Sequence, residues 1–157
     1  MTTLAGGRDV FIARLELEPI TKTYCTAKTN SQGCTPFITF TGRPSASAAA
    51  PFDVGAQFVV DGKNGILFYG SAPTAAPFQG GHLCVMAPIQ RTPVQNSGGA
   101  GFPCNGVFSF DFNAWLQSGA DPSLAAGSTV YCQYWYRDPA SPSATGLTDA
   151  LEFTFQP

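Results

Sequence analysis

Residues 106–112 read GVFSFDF, and this stretch decides the fold class. In an extended chain Phe108, Phe110 and Phe112 lie on one face, because successive side chains of a strand point to opposite sides. A strand with three phenylalanines on a single face belongs to a sheet that packs against a second layer. The stretch therefore predicts one layer of a structure built from packed sheets.

Other β-rich stretches lie on both sides of this one. Residues 37–42, FITFTG, and residues 150–156, ALEFTFQ, each predict a strand. Residues 128–139, STVYCQYWYRDP, predict a long strand with aromatic side chains on both faces. Because both of its faces are apolar, this strand is expected at the centre of a sheet.

Turn residues separate these stretches. In residues 56–70, AQFVVDGKNGILFYG, two β-rich runs flank Asp-Gly and Asn-Gly steps, which favour positive φ and predict a hairpin. Residues 71–82, rich in Pro and Gly, predict a loop. After the phenylalanine strand, Asn113 is expected to cap a short helical turn that Gly119 ends.

Turn-forming residues recur along the whole chain, which contains 17 glycines and 13 prolines. About eight to ten strands and at most one short helix are expected. Strands do not alternate with helices, so a parallel α/β sheet is argued against. We predict an all-β fold, an antiparallel β-sandwich of possible jelly-roll type, over residues 21–157 as a single domain. Residues 1–20 are predicted to be an N-terminal linker or an exchangeable strand.

Composition limits the partners. Charged residues make up 11% of the 157 residues, less than half of the usual share of about 25%. The net charge is −2 and the eight Lys and Arg residues are scattered singly, which argues against nucleic acid as a partner. No apolar run is long enough to span a membrane. The first ten residues lack the apolar region of a signal peptide, so the chain is expected to be a processed or excised fragment.

Five cysteines indicate an oxidising compartment outside the cell. Cys25 and Cys34 flank a short polar loop, and Cys84 and Cys104 flank a longer one, so each pair is a plausible loop-closing disulfide. Four cysteines nevertheless allow three pairings, and five buried thiols in a cytosolic protein are the alternative. Cys132, in a predicted strand, is expected to be a buried thiol or to bond to another chain. No CxxC motif occurs and the chain has one histidine, so no metal or cofactor is expected.

Catalytic residues are few. His82 lies two positions from Cys84, but a disulfide cysteine beside a surface histidine is the favoured interpretation. Asp111 and Asp138 are surrounded by aromatic residues and are the carboxylates to consider for glycoside cleavage, with Asp111 on the face of its strand opposite the phenylalanines. A loop-ordering salt bridge or a turn cap explains Arg137 and Asp138 without a catalytic role. No GxSxG or HExxH motif is present. We therefore predict that the protein is not an enzyme.

A strand is also predicted at residues 10–18, VFIARLELE. Its apolar positions form the predicted interaction strand, namely Val10, Ile12, Leu15 and Leu17. Such a strand can add to the sheet of a neighbouring chain, and head-to-tail repetition of this contact builds a filament or a surface layer. The alternative is that the strand pairs within its own domain.

Trp115 and Trp135 are candidates for a carbohydrate-binding platform. Sugar rings stack on exposed aromatic faces, and polysaccharide is therefore the second possible partner. For Trp135, in the middle of a predicted strand, packing in the core is the favoured alternative.

Several fragments together resemble a domain of unknown function: TYCTAKTNSQGCTP, APFQGGHLCVMAPIQRTP, NGVFSFDFNAW and YCQYWYRDP. This domain recurs near the C-termini of large secreted proteins of planctomycete-type bacteria, and the resemblance covers residues 23–157. It implies export, an extracellular or cell-surface location and attachment behind other modules, and it carries no catalytic residue. The family pattern ends in Cys-Pro where this chain has Gln156-Pro157, which implies that Cys132 has lost an intrachain partner. Residues 6–19 are similar to the end of a bacterial β-propeller repeat.

These observations lead to one predicted function with one alternative. The protein is expected to be a non-enzymatic extracellular structural or interaction module, of a kind that assembles with itself or with neighbouring domains through an N-terminal strand. The alternative is a carbohydrate-binding module with an aromatic platform.

Overall fold

The computed structural model describes residues 20–157. Residues 1–19, which include the predicted strand at 10–18, lie outside the described residues. The described part contains eleven strands, one α-helix and a short 3-10 turn (Pro142–Ala144). The strands and the helix are β1 (Thr21–Tyr24), β2 (Phe37–Gly42), β3 (Phe52–Val59), β4 (Asn64–Gly70), β5 (Pro73–Phe78), β6 (Gly81–Val85), β7 (Gln90–Arg91), β8 (Gln95–Asn96), β9 (Gly106–Asp111), α1 (Phe112–Gln117), β10 (Thr129–Arg137) and β11 (Thr145–Thr154).

The strands form two packed sheets and a separate hairpin. The large sheet has the order β1-β11-β10-β4-β7, with β8 also paired to β4, and the small sheet has the order β2-β3-β9. All of these pairs are antiparallel. The prediction of an antiparallel β-sandwich with one short helix is confirmed, and so is the central position of β10.

The core lies between the two sheets and is largely aromatic. Tyr134 of β10 stacks on Phe108 of β9 with ring centroids 4.9 Å apart, and its hydroxyl donates a hydrogen bond of 2.9 Å to the Val54 carbonyl of β3. Phe153 of β11 packs against Phe52 of β3, with the two ring centroids 4.9 Å apart. These contacts join the large sheet to the small one, as the phenylalanine pattern of β9 predicts.

Helix α1 follows β9 directly and closes one side of this core. Its N-cap is Asp111, whose carboxylate accepts from the Ala114 amide at 3.1 Å, so the prediction of Asn113 as the cap is wrong. Asn113 is buried instead, and its amide group hydrogen-bonds Arg43, Ser45 and Ala50 of the loop after β2. Most of that loop has no hydrogen bonds to a neighbouring strand, and the buried Asn113 side chain supplies hydrogen bonds to its backbone instead.

The predicted hairpin at residues 56–70 is wrong. Asp61 and Gly62 do form a turn, but β3 and β4 belong to different sheets. The edge of β4 that a hairpin partner would occupy pairs with β7 and β8. Ser97, directly after β8, bonds both sides of the turn, accepting from the Lys63 amide and donating to the Val60 carbonyl. A partner distant in sequence therefore displaces the local one.

A hairpin is found where the sequence predicts a loop. Strands β5 and β6 pair across the two-residue turn Gln79–Gly80, where both residues have positive φ, as a type I′ turn requires. The prolines of β5, Pro73 and Pro77, argue against a central strand but are tolerated on an edge strand, where no partner needs their missing N–H. We call this element the outer hairpin.

Two disulfides connect distant parts of the chain. Cys25 bonds to Cys84 and Cys34 bonds to Cys104, so all four candidate cysteines are paired. The loop-closing pairs suggested by the sequence are not formed. The observed bonds span 59 and 70 residues, and each joins a segment of the N-terminal third to a later element.

Cys132 is the remaining cysteine and lies on the inner face of β10. It is completely buried, and burial raises the pKa of its thiol. This position favours the buried thiol over a bond to another chain, because a partner cysteine has no access to it. Among the described residues, no helix is long and apolar enough to cross a membrane.

Candidate functional site

The outer face of the large sheet, opposite the small sheet, is only partly covered. Gln133 and Trp135 of β10 point to this face, across from Phe68 and Ile66 of β4. The outer hairpin covers Gln133, whose side chain accepts from the Cys84 amide and donates to the carbonyls of His82 and Thr148. Trp135 lies beyond the end of this cover and is only half-buried.

Three further contacts fasten the outer hairpin to the sheet. The disulfide Cys25–Cys84 joins β6 to the segment after β1, and the Tyr24 hydroxyl donates 2.7 Å to the Cys84 carbonyl. The ammonium group of Lys28 donates to the Gln79 carbonyl at 2.9 Å. The same group donates to two carbonyls beside the 3-10 turn. Burial lowers the pKa of Lys28, and the Asp138 carboxylate opposes that shift.

Between the outer hairpin and β7 the sheet face is open and forms a groove of about 260 Å³. Its floor is the surface of β4 and β10, and its walls come from the outer hairpin and from the segment around β7. We call it the Trp135 groove and define it by its lining residues: Ile66, Phe68, Phe78, Gln79, Leu83, Ile89, Arg91 and Trp135. The side chains of residues 20–157 leave this apolar space unfilled.

Trp135 is held in place at the centre of this region. Its indole N–H donates to the Gln79 side-chain oxygen at 2.9 Å, and the guanidinium of Arg137 lies 4.9 Å from its ring centroid. A second depression of about 200 Å³ continues on the other side of the ring, beside Asn64 and Val94. The two depressions contain two arginines, Arg91 and Arg137, and no acidic residue.

Trp115 lies elsewhere. Its indole N–H donates 3.0 Å to the Tyr69 hydroxyl, which in turn donates to Asp121, and its ring packs on Phe110. Tyr69 faces the core, opposite Cys132 in the β4–β10 register. Trp115 and Trp135 are therefore on opposite faces of the large sheet, and they do not form one platform.

A larger depression of about 530 Å³ lies beside Tyr69 and Asp121. Its volume exceeds that of the Trp135 groove, yet its one carboxylate is already engaged by neighbouring residues. Asp121 accepts from the Ser123 amide and hydroxyl as well as from the Tyr69 hydroxyl. We therefore regard the Trp135 groove, which is apolar and open, as the stronger candidate.

The side chains that could take part in catalysis or metal binding have structural partners instead. Cys84 is in a disulfide, so it forms no thiol–imidazole pair with His82. Asp111 caps α1 and also accepts from the Phe52 amide. Asp138 is buried and accepts hydrogen bonds from the amide and the hydroxyl of Ser31. These bonds order the loop between β1 and β2. Within residues 20–157, no three metal-ligating side chains come together.

Comparison with protein-family models, with curated proteins and with solved structures gives no match for this chain. The resemblances to a planctomycete-type domain and to a propeller repeat therefore stay predictions.

Sequence reasoning selected Trp135 but missed the rest of the groove. Phe78, Gln79 and Leu83 were placed in or next to a loop, and their hairpin was not recognised. The available signal was the pair Gly80-Gly81, because glycine tolerates the positive φ that a two-residue hairpin turn requires. Ile66 and Phe68 carried no signal that separates a groove floor from a core position.

Proposed function

We propose that this protein is a non-catalytic extracellular interaction module that holds its partner in the Trp135 groove. The observation that carries the proposal is an apolar groove with an ordered tryptophan, left open in a domain whose core is otherwise closed. Ordered aromatic side chains in an apolar recess are typical anchors of protein interfaces. The two disulfides support an extracellular location, because such bonds persist in oxidising compartments.

The lining of the groove favours a peptide partner. Its floor offers apolar side chains from adjacent strands, and its polar groups are limited to Gln79 and Arg91. The Gln79 side-chain oxygen already accepts from Trp135. A sugar has hydroxyl groups around its whole ring and needs several hydrogen-bonding partners, whereas an aliphatic side chain needs only apolar contact.

Carbohydrate binding is the second candidate, and one observation favours it. The Trp135 ring is half-buried rather than buried, and polar side chains (Asn64, Gln79 and Arg137) lie around it. This version needs a single aromatic anchor, because Trp115 lies on the other face of the sheet.

Amide and methyl NMR spectra of the full chain test the proposal. The titrants are short peptides with leucine at alternate positions and, separately, oligosaccharides of glucose, N-acetylglucosamine and mannose. We expect the peptides to shift the Trp135 indole N–H and the methyl groups of Ile66 and Leu83, and to leave the Trp115 indole unchanged. Shifts at the groove caused by an oligosaccharide alone would establish the carbohydrate alternative. If neither class of titrant shifts these signals, the groove is not a binding site and the proposal is overturned.

A further inference from the structure

We infer that the partner in the Trp135 groove is the N-terminal segment of a second copy of this chain, residues 10–18. This inference rests on the function proposed above and names the occupant of the same site. Three independent features lead to it: the spacing of the groove floor, the charge at its rim and the position of residue 20.

The floor of the groove has the spacing of an extended chain. Ile66 and Phe68 are two residues apart on one face of β4, which places their side chains about 7 Å apart along the strand. An extended ligand with apolar residues at alternate positions repeats at the same distance. In residues 10–18, Leu15 and Leu17 have this spacing, and so do Val10 and Ile12.

The charges are complementary. Arg91 and Arg137 border the two depressions, and neither depression contains a carboxylate. In the segment Leu15-Glu16-Leu17-Glu18, glutamates alternate with leucines. When the leucines of an extended chain enter the groove, the glutamates point away from its floor. The long arginine side chains at the rim can extend outward to meet them. Attraction between these charges then selects this segment over an uncharged apolar one.

The position of residue 20 indicates a second copy rather than the same chain. The Ile20 carbonyl accepts from the Thr154 amide, so the last residue before β1 lies at the edge of the large sheet. Strand β4 is three strand positions away, about 14 Å. The outer hairpin contacts β10 and β11 on the outer face and lies across this route. A segment from a neighbouring molecule meets no such obstacle.

Contacts of this kind are heterologous. The donor segment and the receptor groove are different surfaces, so each molecule has one free donor and one free groove after binding. Repetition of the contact yields a head-to-tail assembly, which is a filament when the rotation between neighbours does not close a ring.

Charge reversal in the full chain tests the inference. Variant D carries Glu16→Arg and Glu18→Arg, and variant R carries Arg91→Glu and Arg137→Glu. Sedimentation velocity over a range of concentrations measures self-association. The unaltered chain is expected to associate, and each variant alone to associate about tenfold more weakly, because like charges then meet. Arg43→Glu, an exposed change outside the groove, is the matched control and is expected to have no effect.

The decisive sample is an equimolar mixture of variants D and R. In the mixture the reversed segment of D meets the reversed groove of R, and the unaltered segment of R meets the unaltered groove of D, so association is restored. Restoration supports binding between copies, since neither variant can satisfy its own groove. A mixture that stays dissociated, a chain that is monomeric at every concentration, or variants that associate normally would each overturn the inference.

A synthetic peptide of residues 9–19 separates this result from the broader proposal. We expect it to shift the Trp135 indole signal of variant D, whose own segment is reversed. If other leucine-containing peptides bind the groove and this peptide does not, the inferred occupant is wrong and the interaction function stands. If no peptide binds, both fail.

Discussion

Strand β10 has two faces, and they differ in how completely they are covered. The inner face consists of Val130, Cys132, Tyr134 and Tyr136, each at most 1% exposed, packed against the small sheet. The outer face has a buried glutamine, Gln133, under the outer hairpin and then the half-buried Trp135 beside an open groove. Burial raises the pKa of Tyr136 on the inner face to about 12. The difference shows that packing between the sheets closes one face of the strand, whereas on the other face the described residues leave a groove.

The largest expected effect comes from the inner face. Phe153→Ala removes a completely buried ring between Phe52, Phe112 and Phe155, so the free energy of unfolding is expected to fall by about 3–5 kcal/mol. Denaturant unfolding measures this change. Phe102→Ala, at a position that is 72% exposed, is the matched control and is expected to change stability by less than about 0.5 kcal/mol. Equal effects of the two changes would contradict the assignment of the core.

The two disulfides differ in what they hold, because only Cys25–Cys84 fastens the outer hairpin. Removing either bond, as Cys25→Ser with Cys84→Ser or as Cys34→Ser with Cys104→Ser, is expected to lower stability by about 2–4 kcal/mol. The first pair is also expected to increase amide hydrogen exchange in β5 and β6 and to shift the Trp135 indole signal. The second pair should leave that signal in place. An unchanged outer hairpin after loss of the first bond would show that Gln133 and Lys28 are sufficient to hold it.

A smaller effect is expected for the buried glutamine of the outer face. Gln133→Leu keeps the approximate volume of the side chain but leaves the Cys84 amide and the carbonyls of His82 and Thr148 without these partners. The expected loss of stability is about 1–3 kcal/mol, with faster hydrogen exchange confined to the outer hairpin. Denaturant unfolding and exchange at single residues measure both. A uniform increase in exchange across both sheets would contradict a local role.

The smallest expected effect on stability is that of Trp135→Ala. The ring is half-buried and borders an open groove rather than the core between the sheets, so the expected loss is about 1 kcal/mol. Peptide binding in the NMR titration and self-association are nevertheless expected to disappear. Trp115→Ala is the control, since it removes a ring of the same size from the other side of the sheet, and it should leave both binding signals intact. A large loss of stability with Trp135→Ala would identify this ring as part of the core instead.

Several elements could be predicted from the sequence because their cause is local. The β-rich residues of 37–42 and the alternation in 106–112 predicted two strands, and the observed strands, Phe37–Gly42 and Gly106–Asp111, agree to within one residue. The double-sided aromatic pattern of β10 predicted its central position, and Gly119, with φ of +77°, ends the region of α1 as expected. In each case the side-chain period or a single backbone angle is sufficient, and no distant residue is needed.

Other elements depend on partners that are distant in the chain. The turn at Asp61–Gly62 was recognisable, but whether β4 pairs with β3 depends on Ser97 and β8, more than 30 residues further on. The outer hairpin exists because Cys25, Lys28 and Gln133 hold it on the sheet, and its own prolines argue against a strand.

The amino-acid sequence alone is sufficient to predict the fold class and an aromatic core, and it identified four candidate disulfide cysteines, because composition and alternation follow from burial one strand at a time. Only the tertiary structure decided which cysteines pair and that Trp115 and Trp135 lie on opposite faces. It also decided that Ile66, Phe68 and Leu83 border an open groove. These properties depend on which surfaces the folded chain brings together and which it leaves uncovered. A strand has the same alternation of side chains whether its apolar face is covered or open, so the sequence of the strand does not distinguish the two.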